Sequence, residues 1–323
     1  MIGILLCTYN GAPYLRAQLD SILAQNTEED FRILISDDGS TDGTLALLRE
    51  MSSAHPDRIT LLPPHAPTGS AWRHFLSLLA AGCGRDFDYL MLSDQDDVWK
   101  PEKLSRCFRE MKAMEAAYGT DSPMLVHCDS EITDGELRVL APSFVQYQKM
   151  TPSRCRLQQL LVQNNVVGGA VLMNQALASM VTAVPEHCVM HDQWLAILAA
   201  AFGHIHFVPM SLYYYRQHQD NVLGAAKGSR VREVLGRFGI GRQDGKSKEE
   251  MDAHSRKIYD DLFQQARSFL AMYGDRLSPK QKRMVQAFVS IPQKNRLGKI
   301  LTILRYGFTY NMLHRTIGEC LFI

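Results

Sequence analysis

The sequence predicts an α/β fold in which a mainly parallel central sheet carries helices on both faces, with a helical extension at its C-terminal end. Three observations predict it. Apolar runs of strand length alternate with segments of helical period through the first third of the chain. Each of the leading runs closes on a polar turn, as at Thr8-Tyr9-Asn10-Gly11, Ser36-Asp37-Asp38-Gly39 and Ser93-Asp94-Gln95-Asp96-Asp97. The last quarter has helical periodicity and little strand character.

Taken in order, residues 2–7 form a first strand, and Leu15, Leu19, Ile22 and Leu23 then fall on one helical stripe. Residues 31–35 form a second strand. Ser40 or Thr41 is expected to cap the next helix, which turns Leu45 and Leu48 inward. Residues 59–62 read as a third strand, 72–79 as helix and 89–92 as a fourth strand; Pro101 opens a helix over about 102–117. Further on, 124–128 and 166–173 read as strands, 191–201 as helix, and 205–208 and 212–215 as two short strands. Residues 224–257 are polar and glycine-bearing, as in a linker. The expected division is a domain over 1–225, in two parts at 1–100 and 101–225, and an extension over 226–323.

Composition narrows the function. The chain has 323 residues, 46% hydrophobic and 21% charged, enough for a sizeable core without covalent staples. Its 35 basic and 34 acidic residues leave a net charge of +1, which argues against a nucleic-acid partner for the chain as a whole. No apolar run reaches membrane-spanning length, and the first residues read as a strand rather than a secretory signal. Seven cysteines without a CxxC pair read as reduced thiols of a cytoplasmic protein.

In open parallel sheets ligands bind beyond the carboxyl ends of the strands, so the three polar turns are expected on one rim. Asp94-Gln95-Asp96 is a DxD: carboxylates two apart on a turn can share one hard cation and leave its other positions to phosphate oxygens. Several other patterns fail their templates. Residues 38–49 mimic a calcium loop until Arg49 replaces the required Glu. Gly245-Lys246-Ser247 lacks the first glycine of a P-loop, where Ile240 stands. His187, Cys188 and His191 lack a second ligand pair for zinc. His127, Cys128 and Asp129 read as a polar strand end.

Taken together, Thr8-Tyr9-Asn10, Asp37 to Thr44, Ser93 to Trp99, His191-Asp192 and Arg216-Gln217-His218 resemble the motifs of family 2 glycosyltransferases with the GT-A fold, in the family's order. The likeness is greatest to the rhamnosyltransferase-like branch of bacterial surface-polysaccharide synthesis and covers about residues 1–225. It implies that Thr8, Tyr9, Asn10, Asp38, Asp94 and Arg216 bind the nucleotide sugar, and that Asp94, Asp96 and His218 hold Mg²⁺ or Mn²⁺. It also implies that Asp192 is the base that deprotonates the acceptor. The implied partners are a nucleoside-diphosphate sugar, dTDP-rhamnose first and UDP-hexoses next, and a glycan or lipid-linked acceptor. Trp99, Gly168, Gly169, His191 and Trp194 are candidates for the sugar or acceptor pocket, although large aromatics such as the two tryptophans are more often core. One base and one displacement give inversion; a retaining double displacement would need a second carboxylate, for which Glu186 and Asp220 are near in sequence. Two rival readings are a sugar nucleotidyltransferase, which would carry a Gly-rich basic first loop absent here, and an inactive GT-A scaffold, which would have no need of Asp38, Asp94, Asp96 and Asp192.

Charge is uneven along the chain. Residues 276–315 hold nine Lys and Arg and no Asp or Glu, so the remainder carries −8. Leu297, Ile300, Leu301, Leu304 and Phe308 lie at helical spacing there, with Ile303 off the stripe. Two expectations stand: a basic helix on an anionic membrane, at the inner face of the plasma membrane, or a helix packed on protein.

Overall fold

The computed structural model describes residues 1–218, 248–312 and 316. In chain order the elements are β1 (Ile2–Thr8), α1 (Ala12–Leu23), β2 (Phe31–Asp37), α2 (Thr44–Ala54), β3 (Ile59–Leu61), α3 (Ala71–Ala80), β4 (Tyr89–Ser93), β5 (Val98–Trp99) and α4 (Lys103–Tyr118). There follow β6 (Met124–Thr133), β7 (Val139–Ala141), α5 (Phe144–Tyr147), α6 (Leu157–Leu160), a 3₁₀ turn (Gly168–Ala170), β8 (Leu172–Asn174), α7 (Gln175–Ala178), α8 (His191–Phe202) and β9 (His204–Arg216). The C-terminal helices are α9 (Lys248–Tyr273), α10 (Pro279–Val289) and α11 (Arg296–Tyr306), with a 3₁₀ turn at Ile291–Gln293. Asp220, the P-loop mimic ending at Gly245-Lys246-Ser247 and most of the expected linker lie outside the described residues, whereas its end, from Lys248, is helical.

The chain forms two compact units. The first comprises residues 1–146, 166–184 and 190–225 and is built on one sheet in the order β3-β2-β1-β4-β8-β6-β9-β5, with β7 beside β6. The half made of β3, β2, β1 and β4 is parallel throughout. In the other half β6 and β9 run parallel, while β8 is antiparallel to both β4 and β6. β1 is buried along its whole length, which is why its sequence is a continuous apolar run rather than an alternating one. Ile4, Leu6, Ile33 and Ile35 pack with Leu15, Leu19 and Ile22 of α1 in the core.

Local chemistry explains where the elements depart from expectation. The strand expected over 166–173 is interrupted by the Gly168–Ala170 turn, and only Leu172–Asn174 pairs. The two short strands expected over 205–215 are one strand, β9, whose register against β6 shifts between Val208 and Ser211; the intervening Pro209 and Met210 form the irregularity. Neither Ser40 nor Thr41 caps α2: Asp42 Oδ1 accepts from Thr44 N–H at 2.9 Å instead. Leu48 and Met51 are buried on that helix and Leu45 is half-buried.

The second unit comprises residues 147–165, 185–189 and 226–323. Phe288 of α10 packs against Phe263 of α9 and against Phe308, with ring centroids 5.0 and 4.9 Å apart. Ser278 and Gln281 form a capping box at the start of α10, ahead of Pro279. Arg154 donates to Thr309 O at 2.8 Å and Asn311 to Asn165 Oδ1 at 2.6 Å, which ties segment 147–165 to the end of the helical array.

Candidate active site

Strand register assembles the rim. β1 and β2 pair with Thr8 opposite Asp37, and β1 and β4 with Leu6 opposite Ser93, so the three polar turns leave the sheet side by side. The Thr8-Tyr9-Asn10 turn is clamped from two directions. Thr8 Oγ1 donates to Asp37 Oδ2 at 2.8 Å, and Asn10 N–H donates to Ser40 Oγ at 2.8 Å. Asn10 takes a left-handed backbone, φ 48°, a conformation that asparagine tolerates better than most residues, and its Oδ1 accepts from Thr41 N–H at 2.8 Å. Gln95, inside the DxD, exchanges two 2.9 Å bonds with the backbone N–H and C=O of Tyr9. The Tyr9 ring is left exposed.

Asp38 is buried, and its carboxylate accepts from Thr68 N–H at 2.6 Å, Thr68 Oγ1 at 2.9 Å and Gly69 N–H at 3.1 Å. Beside it Ser36 Oγ lies 2.9 Å from His65 Nε2 and 2.8 Å from His74 Nε2, and the two ring nitrogens are 3.2 Å apart. Among the described residues, Asp38, His65 and His74 form the one group of three metal-type ligands with atoms within 4.8 Å of each other. The sequence reading did not single out His65 or His74.

Asp96 Oδ2 lies 2.8 Å from His218 Nε2, and the Asp96 carbonyl accepts from Arg216 Nε at 2.9 Å. Tyr14 of α1 holds both partners: its ring stacks on His218 at 4.4 Å, and the Arg216 guanidinium sits 4.9 Å from its centroid. Asp94 faces elsewhere. A Cβ on Gly169 would stand 3.1 Å from Asp94 Oδ2 and 2.6 Å from Asp97 Oδ2, so both carboxylates lie against that glycine. Asp94 therefore does not close a three-ligand group with Asp96 and His218, because Asp96 turns to the imidazole and Asp94 to the glycine turn.

Asp97 is buried and its Oδ2 has no hydrogen-bond partner among the described residues. Burial, then the charges of Asp96 and Asp94, push its carboxyl well above the usual range. Burial, then Asp96 and Asp192, push Asp94 up to about 7, against the opposing pull of Lys103. Lys103 is fully buried at the start of α4; its ammonium donates to Gly169 O and lies 3.7 Å from the Trp99 ring centroid and 4.4 Å from that of Tyr213. Burial lowers its pKa while the acids oppose that shift. Neither Asp97 nor Lys103 was expected in the site, since a lysine opening a helix ordinarily reads as solvated.

Asp192 sits in the first turn of α8 and its Oδ1 accepts from Gln193 N–H at 2.6 Å. His191 is buried on the Phe75 ring at 4.2 Å, and neither ring nitrogen has a hydrogen-bond partner among the described residues. Burial holds its pKa down to about 3, so the ring is neutral. A Cβ on Gly168 would come within 2.6 Å of His191 Nε2, so the first glycine makes room for the imidazole and the second for the carboxylates. Trp99 and Trp194 are core residues, buried at 3% and 0% exposure, and present no ring face to a sugar; the pocket wall expected of them is corrected by this packing. Asp129 accepts from Val145 N–H and Ser143 Oγ, a structural role in keeping with a polar strand end. Glu186 is exposed beside His187 at 3.7 Å and belongs to the second unit.

Residues 3–124 match the family described as glycosyl transferase family 2. A dTDP-rhamnosyl transferase of Shigella flexneri, RfbG, is 38% identical over 99 residues, 31% of this chain and 34% of that protein. This chain thus aligns with about a third of that relative's length. An uncharacterised glycosyltransferase of Nostoc sp., alr2836, is 27% identical over 248 residues, 74% of this chain and 72% of that one. The mannosyltransferase PcManGT of Pyrobaculum calidifontis, solved with GDP-Man and Mn²⁺, superposes with a TM-score of 0.51 at 18% identity, covering 99% of this chain and 86% of that one; the likeness is one of fold.

Proposed function

We propose that this chain, whose residues 3–124 match glycosyl transferase family 2 and whose fold is GT-A, is a metal-dependent, inverting glycosyltransferase. The proposed donor is a nucleoside-diphosphate sugar, dTDP-L-rhamnose first and a UDP-hexose second. The proposed acceptor is a glycan or lipid-linked sugar of a bacterial surface polysaccharide. The rhamnosyl choice is supported by the name of the Shigella relative.

The observation that carries this reading is the acid-rich rim. Asp94, Asp96 and Asp97 follow one strand, and the buried ammonium of Lys103 is the cation that opposes Asp94 and Asp97. Carboxylates held together at such cost, with one buried oxygen unsatisfied, suit a hard divalent cation. Asp96 and His218 would hold Mg²⁺ or Mn²⁺, with Asp94 and Asp97 turned to the Gly169 side of the same acidic turn, and the ion when bound would offset charge developing on the leaving diphosphate. That PcManGT was solved with Mn²⁺ and GDP-Man lends support.

The chain's own residues supply the rest. The Thr8-Tyr9-Asn10 turn and the 68–69 turn that Asp38 fastens form the nucleoside cradle. Arg216, which fixes the Asp96 backbone, orients the acidic turn toward the diphosphate. Gly168, Gly169 and neutral His191 shape the acceptor side. Asp192, in the first turn of α8, takes the proton of the acceptor hydroxyl. The acceptor oxygen bonds to the anomeric carbon as the bond to the diphosphate breaks, and this single displacement inverts configuration.

The test is a nucleotide-sugar panel read by thermal stabilisation with and without Mn²⁺. One donor class should stabilise the protein in a metal-dependent way; the absence of stabilisation by every donor would refute the proposal.

A further inference from the structure

Leucine on a protein surface is ordinarily scattered and single. On α11 three leucines, Leu297, Leu301 and Leu304, are 66%, 58% and 62% exposed. At about 100° per residue, their i, i+4, i+7 spacing places them within an arc of about 60° on one face. The helix is not frayed there. Asn295 Oδ1 caps it by accepting from Gly298 N–H at 2.9 Å, and Gly307 ends it in the left-handed conformation at φ 71°. Thr302 and Ile303 turn inward and are buried, as is Phe308 beyond the helix. The apolar residues of this segment therefore divide between an inner set that packs and an outer set presented to solvent.

The surroundings of the outer set are positive. Residues 276–312 contain eight Lys and Arg and no Asp or Glu. On the helical wheel Arg296 lies about 110° to one side of the centre of the leucine face and Arg305 about 70° to the other. Among the described residues Lys294, Arg296, Lys299 and Arg305 make no ion pair. Long basic side chains at the border of an apolar face can lay their stems along it and hold their charges at the level of lipid headgroups. No helix among the described residues is long and apolar enough to cross a membrane, and an 11-residue helix measures only about 16 Å.

We propose that α11 lies in the surface of an anionic bilayer, with Leu297, Leu301 and Leu304 in the acyl boundary and the flanking Arg296 and Arg305 on acidic headgroups. A second copy of this chain is disfavoured as the occupant, since it would bring two wholly cationic borders together. The inference rests on the second unit alone and stands apart from the reading of the active site.

The test uses the full chain and flotation with vesicles of phosphatidylcholine alone or with 30 mol% phosphatidylglycerol, at low and high NaCl. Binding should favour the anionic vesicles at least tenfold and fall at least tenfold at high salt. The triple variant Leu297→Ser/Leu301→Ser/Leu304→Ser should lose at least tenfold in anionic-vesicle binding, with an unchanged melting temperature because the sites are exposed. Arg296→Gln/Arg305→Gln should reduce the preference for anionic vesicles and provides a second probe if the triple variant misfolds. Equal binding to both vesicle types, no binding, wild-type binding by both variants, or capture of soluble polyanions without vesicle binding would each overturn the proposal.

Discussion

His218 Nε2 stands 2.8 Å from Asp96 Oδ2, joining the residue that follows β9 to the acidic turn after β4. The contact is set by the Tyr14 stack and by Arg216, which binds the Asp96 carbonyl from the end of the same strand. Asp96→Ala should abolish metal-dependent stabilisation by the donor while leaving the metal-free melting temperature within a few degrees. His218→Ala should weaken Mn²⁺ binding by about tenfold or more, the scale at which groups that orient a metal site act. Calorimetric titration of Mn²⁺ checks both.

Gly169→Ala places a methyl 2.6 Å from Asp97 Oδ2 and 3.1 Å from Asp94 Oδ2. Relief requires the acidic turn to move. We expect a stability loss of about 1–3 kcal/mol, as for overpacked interiors, with a larger loss of donor affinity than of fold. Chemical denaturation and donor titration separate the two effects.

Lys103 compensates Asp94 and Asp97 from a fully buried position. Lys103→Met keeps the apolar stem between the Trp99 and Tyr213 rings but leaves the acids without it. Loss of one partner from a buried charge set costs about 3–5 kcal/mol, and the loss should shrink at low pH, where the carboxyls are protonated. Urea denaturation at pH 5 and pH 8 measures this.

Asp94 also sets a pH dependence. Its folded carboxyl is raised to about 7, above its unfolded range, so the folded state binds the proton more tightly. The corresponding stability is present in acid and is lost as pH rises through about 7. In EDTA, Asp94→Asn should therefore raise the melting temperature at pH 8 more than at pH 5. Buried His191 contributes the opposite trend, losing stability as pH falls below its ordinary range, so the comparison is made between wild type and variant at each pH.

How much of this was legible in the sequence follows from where the signal lay. Thr8, Asp38, Asp94 and Asp96 each follow a buried apolar run, and strand ends of a parallel sheet share a rim, so their grouping could be read from pattern alone. Asp97 and Lys103 could not: a third carboxylate in a polar turn and a lysine in a helix look solvated until packing against Gly169, Trp99 and Tyr213 is known. The tryptophans were ambiguous because an aromatic beside a loop can face either way, and both turn to the core. In the tail, Ile303 falls off the apolar stripe by spacing, yet it packs, as does Phe308 of the stripe, while the stripe's three leucines face solvent.

Asp192→Asn distinguishes a base from a residue that only holds the first turn of α8. Asparagine keeps an oxygen that can accept from Gln193 N–H but does not take up the proton. Donor binding should be unchanged and transfer about 10²- to 10⁴-fold slower. A near wild-type rate in single-turnover transfer would remove Asp192 from this role.

Release of nucleoside diphosphate from a donor panel led by dTDP-rhamnose and UDP-hexoses, followed with the purified full chain and Mn²⁺, tests the central claim most directly. Slow, donor-selective release is predicted, lost in EDTA and lost in Asp96→Ala. No release from any donor, or release undiminished by EDTA, would contradict a metal-dependent glycosyl transfer at this rim.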